Sequence, residues 1–203
     1  MFEFQSEFLG QIDFQEAFKK QEDLWLKSKT KNLNFILGLE HPAVITLGRR
    51  ADTEEININN QLPVVQSTRG GLATIHSEGQ LVIYPIIDIR KINLGVRDYV
   101  ELLLATTQKV FTHFGVETFK DDKNIGLYTK NGKIAFCGLQ IKNGISLHGL
   151  SINIANDLSL FENIKSCGFE SAKLDKLANY NAEIKISSFY NYWIQYFSKL
   201  MPL

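Results

Sequence analysis

A chain of 203 residues and 23.1 kDa, 44% apolar and 22% charged, has the composition of an ordinary globular protein, which excludes disordered and collagen-like classes. Twenty-two basic side chains balance twenty-two acidic ones, so no net charge draws the protein onto nucleic acid or an anionic membrane, and any charged partner must be met by a local patch. Two cysteines and four scattered histidines, without CxxC, HExxH or HxH spacing, predict free thiols and no metal site.

The opening MFEFQSEFLGQ has neither a basic leader nor an apolar h-region, and no apolar run approaches the roughly 20 residues that span a bilayer. The expectation is a cytoplasmic protein with no membrane association. A first helix is predicted from about Asp13 to Ser28, capped by Asp13 with Glu16 three residues on and lined by Phe14, Ala17 and Phe18. Strand-like runs follow at 33–40, 43–48, 63–68, 72–77 and 80–89, bent at His41 and Pro42 and at glycines 70, 71 and 79, which reads as one meandering sheet.

The period then changes. In VRDYVELLLATTQKVFTHFG, Tyr99, Leu103, Val110 and Phe114 share a helical face and Gly115 supplies a stop. Three more strands are expected in NIGLYTK, KIAFCGLQI and ISLHGLSINI, joined by Asn-Gly at 131–132 and 143–144, a strong hairpin signal. From Asp157 short helices are expected, and a closing helix from about Ser187 presents Phe189, Trp193, Phe197 and Leu200 at helical spacing. The fold class is α+β (α/β): a mixed sheet with helices packed on it.

Four clusters carry possible chemistry: STRGGLATIHSEGQLVIYPI, GKIAFCGLQI, SLHGLSIN and SCGF. Each has a bland reading as a strand bend, a small buried thiol, a structural histidine or a solvated lysine. The combination says more, because a reactive cysteine needs a nearby cation or a helix N-terminus to become a thiolate. Cys167 precedes Gly168 and FESAKL, which can start a helix, and Lys133 is the candidate cation.

In this order, with HPAVITLGRR before them and GLYTKNGKIAFCGLQIKNGISLHGLSINIANDLSLF spanning the middle, the clusters resemble those of the lipoate biosynthesis octanoyltransferases, which share the lipoate and biotin protein ligase fold. The resemblance covers about residues 34 to 170. It implies one catalytic domain over residues 1–203 that resembles the ligase catalytic domain and moves an octanoyl or lipoyl group from acyl carrier protein to a lysine of a lipoyl domain through a cysteine thioester. Cys167 then corresponds to the acyl-thioester cysteine and Lys133 to the lysine that lowers its pKa. Arg69, Gly70, Gly71, Leu72, Ala73, Thr74, Ile75 and His76 correspond to a first substrate-binding segment. Phe136, Cys137 and Gly138 correspond to a second, which makes Cys137 a lining residue, and Gly149, Leu150 and Ser151 to a third.

The resemblance further implies no cofactor and no ATP. The implied acceptors are the lipoyl domains of 2-oxoacid dehydrogenase E2 subunits and the glycine cleavage H protein. Arg49, Arg50, Arg69, Arg90, Lys91, Lys130 and Lys142 are candidates for a basic patch facing the acidic carrier. Two departures stand out: Ser166 where the family has proline before the cysteine, and Ser77 and Glu78 within HSEGQ where it has HGPGQ. The alternative readings are an ATP-dependent lipoate or biotin protein ligase, which needs no cysteine, and a non-catalytic module that binds acyl carriers.

Overall fold

The computed structural model describes residues 2–57, 59–121, 124–164 and 173–201. It begins with a strand that periodicity did not predict, β1 (Gln5–Gln11), which pairs in parallel with β2 (Phe35–Glu40). Between them runs α1 (Phe14–Lys31), where the Asp13 carboxylate accepts the amides of Gln15 and Glu16 and Asn32 closes the far end in a left-handed conformation. The chain then leaves this sheet. β3 (Val44–Leu47) pairs with β4 (Val64–Gln66) and β5 (Ala73–His76) in a separate three-stranded sheet, so the bend at His41 and Pro42 is a crossing between sheets and not a hairpin.

β6 (Gln80–Ile86) returns to the large sheet beside β2. After α2 (Val96–His113) come β7 (Phe119–Lys120), β8 (Gly126–Thr129), β9 (Gly132–Lys142) and β10 (Ile145–Asn153), and the chain closes with α3 (Ile186–Leu200). The seven-stranded order is β1-β2-β6-β10-β9-β8-β7, antiparallel except for β1 and β2. Alternation along β6 and β10 serves two cores. Leu81, Ile83, Leu150 and Ile152 meet α2 and α3 through Leu103, Val110, Phe189 and Trp193, whereas Val82, Tyr84 and Leu147 meet α1 through Ala17 and Leu24. Trp193, fully buried, stacks on Phe197 and donates its indole N–H to Thr107 Oγ1 at 2.9 Å, which satisfies its one polar atom.

The two Asn-Gly pairs behave differently. Asn143 and Gly144 are the central residues of the β9–β10 turn, with φ of 53° and 80°, as a tight hairpin requires. In the β8–β9 turn the central pair is Lys130 and Asn131, and Gly132 opens β9. Gly132 is needed for another reason: a Cβ there would stand 2.3 Å from the carbonyl oxygen of Lys173, because segment 173–175 lies directly against β9.

Pro85 sits inside β6, opposite Ile36 of β2, and cannot donate to a ladder. On its other side the regular β6–β10 pairing ends at Leu150 and Ile83. The Ser146 hydroxyl bridges the break, donating to Pro85 O at 2.6 Å and accepting Ile87 N at 3.0 Å. His148, paired with Leu139 of β9 but not with β6, has φ of 56°, and its amide donates to Gln21 Oε1 of α1 at 2.7 Å.

Candidate active site

The break at Pro85 delivers a side chain to a site. In its left-handed conformation His148 stacks its imidazole on Phe18, ring centroids 5.4 Å apart, and its Nε2 meets Thr68 Oγ1 at 3.0 Å. Thr68 also donates to Gln140 Oε1 at 2.8 Å, so β9 and β10 together hold the residue that precedes Arg69, Gly70 and Gly71. The Gly70 amide donates to Leu139 O at 3.1 Å, seating this loop on β9. Opposite Gly70 lies Gly138, paired across the ladder with Gly149. A Cβ at Gly149 would come within 2.2 Å of Ile83 O, and one at Gly138 within 3.3 Å of Gly70 O.

Arg69 is buried. Its guanidinium donates to Thr46 Oγ1 and to the carbonyls of Thr46 and Gly70, and burial lowers its pKa to about 10. It is therefore a loop anchor and does not belong to an external basic patch. Lys130 and Lys142 flank opposite ends of the eleven-residue β9, roughly 35 Å apart at strand rise, so the seven basic residues do not form one surface. Glu55, also buried, accepts the Ala73 amide at 2.9 Å and the Asp52 amide at 3.0 Å, fixing the far end of the loop.

Over this floor lies a cavity of about 1830 Å³. Lys133 enters it from β9. Its ammonium donates to Ile125 O at 3.0 Å and lies 5.2 Å and 4.9 Å from the ring centroids of Tyr128 and Phe136. Burial lowers its pKa to about 8, against the raising influence of Asp121 and Cys137, so a tenth or so of it is neutral at pH 7. Cys137 lines the same cavity, and burial pushes its thiol up to about 12, which leaves it protonated and unsuited to attack.

Three imidazoles gather at the inner end. His41 bonds Ile12 O at 2.7 Å and Tyr84 Oη at 2.8 Å, His76 bonds Gln80 Oε1 at 2.8 Å and stacks on Phe14, and His148 is held as described. Burial lowers His41 to about 4, His148 to about 3 and His76 well below its ordinary value, so all three are neutral at pH 7. His76 and His148 line the cavity as shaped hydrogen-bonding walls, the structural reading for both, and His41 packs behind them against His76 and Tyr84.

Of the residues expected from sequence, Arg69, Gly70, Gly71, Leu72, Ala73, Thr74, His76, Lys133, Phe136, Cys137, Gly138, Gly149, Leu150 and Ser151 line this one cavity. Ile75 does not. It is fully buried on the other face of β5, among Ile45, Leu47 and Ile164. Cys167 lies outside the described residues, as do Ser166 and Gly168. Sequence reasoning passed over Phe14, Tyr84, Glu55 and the 158–164 segment, which also line the cavity. For Glu55 a signal existed, since Asp52 and Glu55 have the spacing of a capping box, and the box forms. Among the described residues no group of His, Cys, Asp or Glu is placed to hold a metal ion, and no helix is long and apolar enough to cross a membrane.

Comparison with known proteins agrees with this arrangement. Residues 13–198 match the model of the lipoyl protein ligase A/B catalytic domain. A protein of Pseudomonas fluorescens named octanoyltransferase is 34% identical over 179 residues, 88% of this chain and 83% of that protein. One of Legionella pneumophila with the same name is 32% identical over 189 residues, 93% of this chain and 95% of that one. The crystal structure of a lipoate-protein ligase A bound with ATP superimposes with a TM-score of 0.81 at 13% identity, covering 98% of this chain and 85% of that one, a likeness of fold. The chain belongs to the lipoyl protein ligase A/B catalytic domain family.

Proposed function

We propose that this protein is an octanoyltransferase of protein lipoylation, moving an octanoyl group from the thioester of acyl carrier protein to the ε-amine of a lysine on a lipoyl domain through a thioester on Cys167. The observation that carries the reading is the buried Lys133 ammonium, set in the same cavity as the Arg69–Gly71 loop and the Gly138–Gly149 pair, in a chain whose relatives bear that name. Covalent reach supports the role of Cys167. It follows Ile164, which lines the cavity, by three residues, and precedes Lys173, whose carbonyl accepts the Lys133 amide at 2.8 Å, by six.

In the first half-reaction the Cys167 thiolate attacks the carrier thioester, and the pantetheine thiolate leaves with a proton from the Lys133 ammonium. In the second, the acceptor amine attacks the enzyme thioester, neutral Lys133 takes the amine proton, and Cys167 leaves as thiolate. Exchange of one thioester for another is nearly balanced and conversion to an amide is downhill, so neither ATP nor a cofactor enters. A pKa near 8 suits a group that must give a proton in one step and take one in the next. The Gly70 amide is committed to Leu139, which removes it from the oxyanion donors. Leu72 and Leu150 supply apolar wall for the acyl chain, worth roughly 0.8 kcal/mol per methylene buried.

The donor is octanoyl acyl carrier protein. The acceptors are lipoyl domains of 2-oxoacid dehydrogenase E2 subunits and the glycine cleavage H protein, in the cytoplasm, with the whole chain acting as one catalytic domain. Intact-protein mass spectrometry after mixing with octanoyl carrier protein, without ATP, tests the reading. A single hydroxylamine-labile octanoyl adduct that Cys167→Ser lacks supports it. Transfer that appears only with ATP and free acid, undiminished in Cys167→Ser, replaces it with a ligase; tight carrier binding without transfer replaces it with a binding module.

A further inference from the structure

We propose that Asp175 is a positioning residue for Lys133, a buried carboxylate that fixes the β8–β9 hairpin beneath the ammonium by tying it to segment 173–180. The proposal rests on the acyl-transfer reading above, in which Lys133 exchanges the proton. Asp175 is fully buried, and its carboxylate accepts Thr129 Oγ1 at 2.5 Å, Tyr180 Oη at 2.6 Å, Asn179 Nδ2 at 2.7 Å and the Lys176 amide at 2.9 Å. Tyr180 Oη in turn accepts Asn131 Nδ2 at 2.9 Å, which extends the tie into the hairpin turn.

The main chain brackets the same point. The Lys133 amide donates to Lys173 O at 2.8 Å, the Asp175 amide donates to Lys133 O at 2.9 Å, and Asn153 Nδ2 of β10 donates to Asp175 O at 3.0 Å. One residue therefore grips β8 with its side chain and both β9 and β10 with its backbone. The hairpin positions it reaches, Thr129, Asn131 and Lys133, alternate along the chain, and of these Lys133 lines the cavity.

A carboxylate is suited to the task because it is acceptor-only, with room for all four donors. An asparagine of the same shape would turn an NH2 against at least one of them. Among the described residues, the charged or titratable groups around Lys133 include Asp121 after β7, Tyr128 of β8 and Cys137 of β9; Tyr180 and Lys176 face Asp175. All remain in an Asp175→Asn variant, and loss of the carboxylate charge alone would lower the Lys133 pKa, so an upward shift in its titration reports its position. Burial is the largest influence on that titration, and a loosened hairpin that admits water moves it back toward the ordinary lysine value.

The experiment uses the full chain, its Asp175→Asn and Tyr180→Phe variants, and the rate of octanoyl adduct formation from octanoyl carrier protein as a function of pH. Asp175→Asn is expected to lower the maximal acylation rate about tenfold, of the order lost when an outer partner of a metal ligand is removed. The KM for the carrier stays unchanged and the basic inflection moves upward. Tyr180→Phe is expected to do the same to a smaller degree, and with Tyr180 39% exposed it carries the test if Asp175→Asn does not fold. Variants that lose thermal stability yet keep the wild-type rate and inflection overturn the proposal and make Asp175 scaffold only. An adduct formed by wild type with no change in the variants sinks the positioning role alone, whereas absence of any adduct on wild type removes the transfer reading and this one with it.

Discussion

Replacing Lys133 by methionine is expected to abolish acyl transfer and to make the protein more stable. The side chain is 8% exposed, and burial holds its pKa at about 8 against an ordinary 10.5. A folded-state value below the unfolded one means that the unfolded chain binds the proton more tightly, so at neutral pH the ammonium costs the fold about 3 kcal/mol. Methionine keeps the unbranched stem and drops the charge. It also gives up the bond to Ile125 O, worth about 1 kcal/mol, although Ile125 is exposed enough for water to take over that carbonyl. A net gain of about 2 kcal/mol at pH 7 follows.

The pH dependence separates this from a packing effect. The penalty is complete below the folded pKa and fades as pH rises from about 8 toward 10.5, so the burial contribution drops from about 3 kcal/mol at neutrality to about 1 kcal/mol one pH unit below the ordinary lysine value. Urea unfolding of wild type and Lys133→Met at both pH values measures it. A variant less stable than wild type at pH 7, or an advantage that does not shrink with pH, would refute a strained, desolvated ammonium.

Buried neutral imidazoles extend the same trend into acid. Stability should fall as pH drops from 6.5 to about 4, with His41 alone accounting for about 3 kcal/mol, and a His41→Phe variant should show a shallower decline in urea titrations. Glu55→Gln leaves the Ala73 or Asp52 amide without its acceptor and is expected to cost about 1–3 kcal/mol, seen as a lower urea midpoint with unchanged slope. Gly149→Ala places a methyl against the Ile83 carbonyl and Pro85 Cδ, 2.2 and 2.6 Å away, and should destabilise by at least about 1–3 kcal/mol in urea unfolding.

Much of this architecture was legible because its signals are local. The 3.6-residue period in α2 and α3, the Asp13 cap of α1 and the glycine-punctuated strands β5, β6, β9 and β10 needed only their own neighbours. β1 escaped because QSEFLGQ is an edge strand with mostly exposed or half-buried residues and little alternation to read. The division into two sheets escaped because β2 and β3 are equally apolar and only long-range pairing separates them. The same distinction runs through the site. The resemblance placed the lining segments, but the environment of Lys133 depends on segment 173–175, some forty residues along the chain, and on the carbonyl of Ile125. Ile75 was included with its neighbours although a strand sends alternate side chains to opposite faces, and here Thr74 and His76 take the cavity side.

A missing hydrogen atom has a long reach in this molecule. Because Pro85 has no amide proton, β10 owes it no acceptor, and His148, still paired with Leu139 of β9, is released from pairing with β6 to spend its own amide on α1 and its ring on Thr68. The loop that begins one residue later thus takes its position from a vacancy in the interior of the sheet. Any residue with an N–H at position 85 would add a donor that competes for β10, and the loop over the cavity would lose its support without one of its own atoms being altered.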